Sequence, residues 1–494
     1  MIELDFPILS ALIFLPMIGS AAVLAIRGAG EKVIRYFTLA ISLMVLILAL
    51  LAYSPVLQSG VGAEFNYVEG PITWLPSLGG LDYLLGMDGM SAVLVLLTAF
   101  LSVLVILGSW DLIKERQAAY YFLILLFEGA MMGVFTSLNL VLFYVFWELV
   151  LIPMFFFIGI WGGPRRKFAA MKFLIYTHVG STIMLLGFIA LFLFSPSHSF
   201  NFTDLVGQIP FWLQVVAMAA VFWGFAVKLP VVPFHTWLPD AHVEAPAPIS
   251  VFLAGLLLKM GGYGFLRFNL GLFPDASREF ASFFIILGII TMFYGAFVAM
   301  TQKDLKRMIA LTSVNHMGFV LLGAFTGSVI GISGAIFQMF NHGIAIGLLF
   351  MLSGYIHEQA GTRDITLLKG LRKNMPRTAS LLVIGSLAAM GAPLYSNFLS
   401  EFMVIVGAIS TDVRYAVLML VPLMTVAYFL WMIRRSVTSQ PTEIRKHDLS
   451  NRSTLALVLY IVPLILLIIF PFLVLNVVDP LATVYTNSFL GVTP

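Results

Sequence analysis

Along most of this chain, apolar residues run for about twenty positions at a time, and polar residues collect in short intervals between the runs. A helix crosses the ~30 Å hydrocarbon core of a bilayer in about 20 residues, so each run is long enough to span a membrane. The pattern predicts fourteen spans, at 7–27, 33–53, 85–110, 118–137, 138–161, 168–195, 211–240, 247–270, 278–300, 303–326, 328–357, 378–411, 413–434 and 455–478. The predicted fold is all-α and polytopic. Spans 7 and 12 exceed what a crossing needs, and both carry internal Pro or Gly.

Composition agrees with this class. Of 494 residues, 60% are hydrophobic and 10% charged, where soluble domains carry about 25% charge. The net charge of +3 matters less than its placement. Loops that follow odd-numbered spans, with the helix ends beside them, hold 22 of the 27 Lys and Arg residues. Arg267, Arg278 and Arg414 fall on the other side, and only Lys228 and Lys259 remain within spans. Positive loops stay in the cytoplasm. Both termini are therefore expected on the outer side of a cell (inner) membrane. The start, Met1-Ile-Glu-Leu-Asp, is acidic, and the first basic residue is Arg27. That lacks the basic region of a signal peptide, so the first run is expected to be a retained helix. There is no cysteine, which excludes thiolate-held clusters and disulfides.

Prolines remove helix hydrogen bonds. Lys228-Leu-Pro230-Val-Val-Pro233 should break span 7, and Gly391-Ala-Pro393 should break span 12. The two breaks lie five spans apart, and an odd offset gives the two units opposite orientations. Spans 4–8 (118–270) and 9–13 (278–434) then form inverted repeats within one membrane domain, with the first three helices (1–110) and the last (455–478) outside them.

Six ionisable residues are expected at depth: Glu148, Lys228, Lys259, His316, His342 and Glu401. Singly, each has a bland role as a packing histidine, a snorkelling lysine or a structural ion pair. Together, acids, bases and imidazoles inside successive helices compose a proton relay. A lysine beside a carboxylate holds its proton, and a lysine moved away and desolvated releases it. His178, His235 and Asp240 are second-tier relay or inlet groups. Asp240, His242 and Glu244 mimic a metal cluster, but no second cluster completes a ligand set, so no metal is expected. No nucleotide loop or haem motif is present, so redox and ATP chemistry belong elsewhere.

The strings Phe146-Trp-Glu-Leu, Val227-Lys-Leu-Pro, Leu238-Pro-Asp-Ala-His-Val-Glu-Ala-Pro, Leu257-Leu-Lys-Met-Gly-Gly-Tyr-Gly and Asn315-His-Met-Gly resemble the antiporter-like subunits of respiratory complex I, NADH-quinone oxidoreductase. The likeness covers essentially the whole chain. It implies fourteen helices in two inverted five-helix repeats, broken at spans 7 and 12. It also implies an ion pair at Glu148 and Lys228, a central lysine at Lys259, connecting histidines at His316 and His342, and an outlet carboxylate at Glu401. Glutamate at 401 resembles one branch of the family, while sister chains typically carry lysine. Ala247-Pro-Ile-Ser and Gly391-Ala-Pro-Leu-Tyr-Ser depart from the commoner strings. They leave room for a relative such as an archaeal F420H2 dehydrogenase or a ferredoxin-using complex.

The resemblance implies a proton-translocating subunit that couples electron transfer in partner chains to pumping. It implies no cofactor in this chain, with flavin and iron–sulfur clusters in other subunits. The implied partners are sister antiporter-like chains, a hydrophilic redox arm and lipids, and no nucleic acid. The alternative is a subunit of a multi-subunit Na⁺/H⁺ antiporter, which shares most of these residues.

Overall fold

The computed structural model describes residues 6–59, 65–75, 81–440 and 447–492. The acidic start at Met1 to Asp5, and Arg445 and Lys446 of the basic census, lie outside these residues. Among the described residues, twelve helices are long and apolar enough to cross a membrane. They are α1 (Ile8–Ala25), α2 (Glu31–Ser59), α3 (Gly89–Leu112), α4 (Gln117–Thr136), α5 (Leu140–Trp161), α6 (Arg166–Phe194) and α7a (Phe211–Lys228). The others are α8 (Ala247–Leu270), α9 (Ala281–Met300), α11 (Val329–Ala360), α13 (Val413–Ser436) and α14 (Asn451–Ile469). The remaining predicted spans coincide with the more polar helix α10 (Leu305–Ala324) and the half-helices α12a (Pro376–Ala389) and α12b (Ser396–Thr411).

Local chemistry explains many of the boundaries. Asp88, Asn139, Asp304, Ser328 and Ser450 accept first-turn backbone N–H groups of α3, α5, α10, α11 and α14, as helix N-caps do. At the first predicted break, α7a stops at Lys228 and the chain resumes helix as α7b (Trp237–Glu244). Pro230 and Pro233 bring no N–H to this stretch, and freed groups find other partners. Trp237 Nε1 donates to Val227 O (2.9 Å), and Val232 N donates to Thr291 Oγ1 (3.1 Å). At the second break, α12a ends at Ala389 and α12b begins at Ser396, with Pro393 between them.

The arrangement is concentric. Every residue in the most apolar stretches of α8 and α11 is buried, whereas α2, α6, α9 and α13 expose much of their surface. Lys259 and His342 therefore sit at the protein's centre, away from lipid.

Three features differ from the sequence expectations. An antiparallel hairpin, β1 (Tyr67–Leu75) and β2 (Leu81–Met87), occupies the interval between α2 and α3. Its Glu69 caps α1, accepting from Leu9 N (2.7 Å) and Ser10 N (2.9 Å). The span predicted at 455–478 stops instead at Ile469, because Pro471 cannot donate to continue it, and helix α15 (Phe472–Leu490) turns away. α15 buries Val474, Val477, Val478, Leu481, Tyr485 and Phe489, one face at three-to-four spacing. It ties to the chain through Ser333 Oγ to Asp479 Oδ1 (2.5 Å) and Tyr53 Oη to Leu473 O (2.6 Å).

The third difference corrects the basic-residue census. Arg267 and Lys306, counted with the loops, are as buried as Lys228 and Lys259. Arg267 NH1 pairs with Asp88 Oδ2 at 2.5 Å, and its other nitrogens reach Tyr263 Oη and Ser91 Oγ, both at 3.1 Å. Pairing on every side makes such burial tolerable.

Candidate functional site

Four of the six deep residues converge. Lys259 lies on α8 between two stretches, Leu253–Leu257 and Phe265–Leu270, wound as π-helix. Its ammonium donates to Ala254 O, five residues back, at 2.5 Å, and reaches His342 Nδ1 of α11 at 2.6 Å. The His342 ring stands 5.4 Å, centroid to centroid, from His316 of α10. His316 Nδ1 then lies 3.0 Å from Glu401 Oε1 of α12b. All four side chains are buried. Lysine, two imidazoles and a carboxylate thus form one file across four helices.

Gln338 of α11, not singled out in the sequence, completes the file. Its Nε2 lies 3.2 Å from His316 Nδ1 and 3.5 Å from Glu401 Oε1, and Ser400 Oγ donates to its Oε1 at 2.5 Å. These contacts make His316 a two-state element. Nδ1 accepts from the Gln338 amide only when it carries no proton, and donates to Glu401 only when it does. One nitrogen cannot do both, so the presence or absence of a proton on Nδ1 selects the partner. The signal in the sequence was Gln338 itself, one helical turn before His342.

The pair expected at Glu148 and Lys228 is not closed. Glu148 Oε2 lies 3.0 Å from His178 Nδ1 of α6. Lys228 Nζ makes no hydrogen bond among the described residues. It lies 5.4 Å from the Trp147 ring centroid and 5.8 Å from that of Phe173. Aromatic faces favour a cation only partly, so this lysine is poised for a partner it does not touch here. His178 joins the site as the holder of Glu148.

The second-tier residues diverge. Asp240 Oδ2 accepts from Lys172 Nζ at 2.7 Å, and His235 lies edge-on to Tyr294 at 4.7 Å. Glu244 Oε2 accepts from Arg165 N at 2.8 Å, while His242 stacks flat on Phe350. Asp240, His242 and Glu244 therefore face three directions rather than one ligand. A cavity of about 510 Å³ opens beside them at the basic-loop end, lined by Trp161, Glu244, Lys306, His357, Glu358 and Arg363. At its floor Lys306 Nζ donates to Ala245 O, at the junction of α7b and α8.

Known proteins share this construction. Residues 137–427 match the family model described as NADH:quinone oxidoreductase/Mrp antiporter, transmembrane. NADH-quinone oxidoreductase subunit M of Rickettsia prowazekii is 40% identical over 477 residues, covering 94% of this chain and 95% of that protein. NAD(P)H-quinone oxidoreductase chain 4 2 of Thermosynechococcus vestitus is 36% identical over 100% of this chain and 94% of its own length. Among solved structures, a chain of respiratory complex I from Thermus thermophilus superposes with TM-score 0.88 at 28% identity, covering 97% of this chain and 99% of that one. A chain of the Mrp complex from Dietzia has the same fold, with TM-score 0.84 at 20% identity over 98% of this chain and 100% of its own. With its paired helix breaks and its file of buried ionisable residues, the chain belongs to the NADH:quinone oxidoreductase/Mrp antiporter family of membrane subunits.

Proposed function

We propose that this chain is the proton-translocating membrane subunit of a complex I-like oxidoreductase. The observation that carries this reading is the file from Lys259 Nζ to His342 (2.6 Å), across to His316, and on to Glu401 (3.0 Å). A proton leaving the Lys259 ammonium lands on His342 Nδ1. The same imidazole releases its other proton from Nε2 toward His316, whose Nδ1 then delivers to Glu401. Each transfer moves one proton and leaves each imidazole neutral, with its tautomer reset by ring rotation. The gap between the rings is short enough for a small rotation or one bridging water.

Glu148, Lys228 and His178 act as the switch. When Glu148 leaves His178 for Lys228, the Lys228 ammonium is held charged; when Glu148 returns to His178, Lys228 is left desolvated and releases its proton. The inverted repeats at 118–270 and 278–434 supply the two half-paths, with fourteen spans crossing the membrane, the last of them ending at Ile469. The basic loops face the cytoplasm and both termini face outward, in an inner membrane. Flavin and iron–sulfur clusters sit in other subunits, among a hydrophilic arm and sister antiporter-like chains. The relatives named for quinone oxidoreductases, at 36–40% identity, favour this reading over the antiporter alternative, which shares the family model and whose solved Mrp chain is 20% identical.

The test is proton translocation by the reconstituted complex. Lys259→Ala and His342→Leu should lower protons moved per electron while electron transfer continues. Full pumping in both variants refutes the assignment.

A further inference from the structure

A second buried carboxyl lies outside the file. Glu128 sits midway along α4, fully buried. Its Oε1 accepts from Ser42 Oγ of α2 at 3.0 Å, and its Oε2 has no hydrogen-bond partner among the described residues. Ser102 of α3 turns its hydroxyl toward the same carboxyl without closing a hydrogen bond. α1 brings the Ile13 carbonyl, Pro16 and Met17 beside the adjoining Gly129, α5 brings Phe146 near Gly133, and α8 presents Phe252 stacked on Phe127. No cation pairs with Glu128 among the described residues. One hydroxyl donor does not hold a charged carboxylate in such surroundings, so the group is a neutral acid, with a proton on its free oxygen.

Polar side chains lead toward it from the basic-loop end. On α2, Glu31, Arg35, Thr38 and Ser42 share a face at helical spacing. On α4, Gln117, Tyr121 and Glu128 do the same. Gln117 ties the two files at the basic-loop end, accepting from Arg35 Nε (2.8 Å) and donating to Glu31 Oε2 (2.9 Å). Tyr121 follows one turn deeper, buried with its Oη unbonded. Glu128 lies eleven residues beyond Gln117, about 16 Å along the axis and near mid-membrane. Past it α4 buries Met131, Met132 and Phe135 before its next polar side chain, Thr136.

We propose that Glu128 is a proton-binding site separate from the central file, filled and emptied through the Gln117–Tyr121 face at the basic-loop end. It binds H⁺ as a carboxylic acid, and the buried Met131, Met132 and Phe135 beyond it close the path along α4. Aliphatic side chains of α3 stand between this site and the centre: Leu97 packs at Gly343 and Leu101 at Gly255. The site therefore stands whether or not the central file pumps.

Infrared difference spectroscopy on the intact complex tests the proposal. The wild type should show a protonated-carboxyl C=O band that Glu128→Gln abolishes. That band should shift when the medium is changed to D₂O, and Tyr121→Phe combined with Gln117→Leu should slow the shift at least tenfold. If Glu128→Gln does not assemble, dicyclohexylcarbodiimide, across whose C=N bond a protonated carboxyl adds to form an O-acylisourea, should modify Glu128 in the native complex. Absence of a Glu128 acid band, an acid band that does not exchange, exchange unaffected by the paired substitution, or an unmodified Glu128 overturns it.

Discussion

Gly391→Ala tests the Glu401 end of the file. Gly391 ends the first half of the broken helix with φ +71°, and a Cβ there would stand 2.9 Å from Glu401 Oε2. Ordinary contact begins at 3.4 Å, so the carboxylate must give way by about 0.5 Å (3.4 minus 2.9). Carried through the carboxylate, a shift of Oε2 by that much is expected to lengthen the 3.0 Å contact of Oε1 with His316. A hydrogen bond to a charged group contributes about 1.5–3 kcal/mol, so its loss depopulates the bonded state roughly 10- to 150-fold. The backbone strain of a Cβ at positive φ adds about 1–2 kcal/mol. Gly361→Ala is the control, because Gly361 has φ +69° with nothing within 4 Å of its Cβ position. It carries the same strain without touching the file. Protons moved per electron are measured in proteoliposomes that report both quantities. Gly391→Ala should remove this chain's share of pumping, and Gly361→Ala should leave it intact. Equal pumping by the two variants, or equal loss, refutes the role given to the His316–Glu401 contact.

Asp88→Asn removes the anion from a buried pair and should destabilise the chain by about 3–5 kcal/mol, read by equilibrium unfolding in mixed micelles. Adding Arg267→Met should recover most of that loss, and a double variant as unstable as the single one would sink the argument. His178→Ala frees Glu148, and electron cryomicroscopy of that variant should find the carboxylate within 4 Å of Lys228 Nζ; a carboxylate left in place contradicts the switch. At the start of α12a, burial raises the Asp448 carboxyl, but donors from Arg377 N (2.7 Å), Leu449 N and Thr378 outweigh it and hold the group below its usual range. A depressed folded value stabilises above the unfolded pKa of about 3.9 and is lost as pH falls through the folded value. Wild type should therefore out-melt Asp448→Asn at pH 7, with the difference fading below about pH 4.

Much of this architecture is legible as apolar length. The helix breaks at Pro230 and Pro393 were readable because proline's missing N–H is a property of the residue alone. The file's members were readable because a charged or imidazole side chain deep in a span has few other uses. What escaped depends on neighbours far away in sequence. Arg267 lies only a few positions from the end of its span and so reads as a loop cation, but Asp88, 179 residues away, draws it inward. Glu148 was matched to Lys228 by motif, and only packing reveals that His178, thirty residues on, takes the carboxylate first. Glu128 was not among the six residues expected at depth, and its isolation from the cations among the described residues is what gives it meaning. The hairpin and α15 escaped because short strands and a half-apolar terminal helix carry weak periodic signals.

The full enclosure of α8 and α11 has a consequence for biogenesis. Helices leave the insertion machinery in chain order, so α8 enters the bilayer before α9 to α14 exist to cover it. Until α11 arrives, Lys259 has Ala254 O as its partner within its own helix and no imidazole beside it. A nascent chain at that stage holds a lysine against lipid, a costly arrangement. Assembly must then close the later helices around a core already in place, which makes α8 the segment most exposed to membrane quality control whenever synthesis stalls before α11.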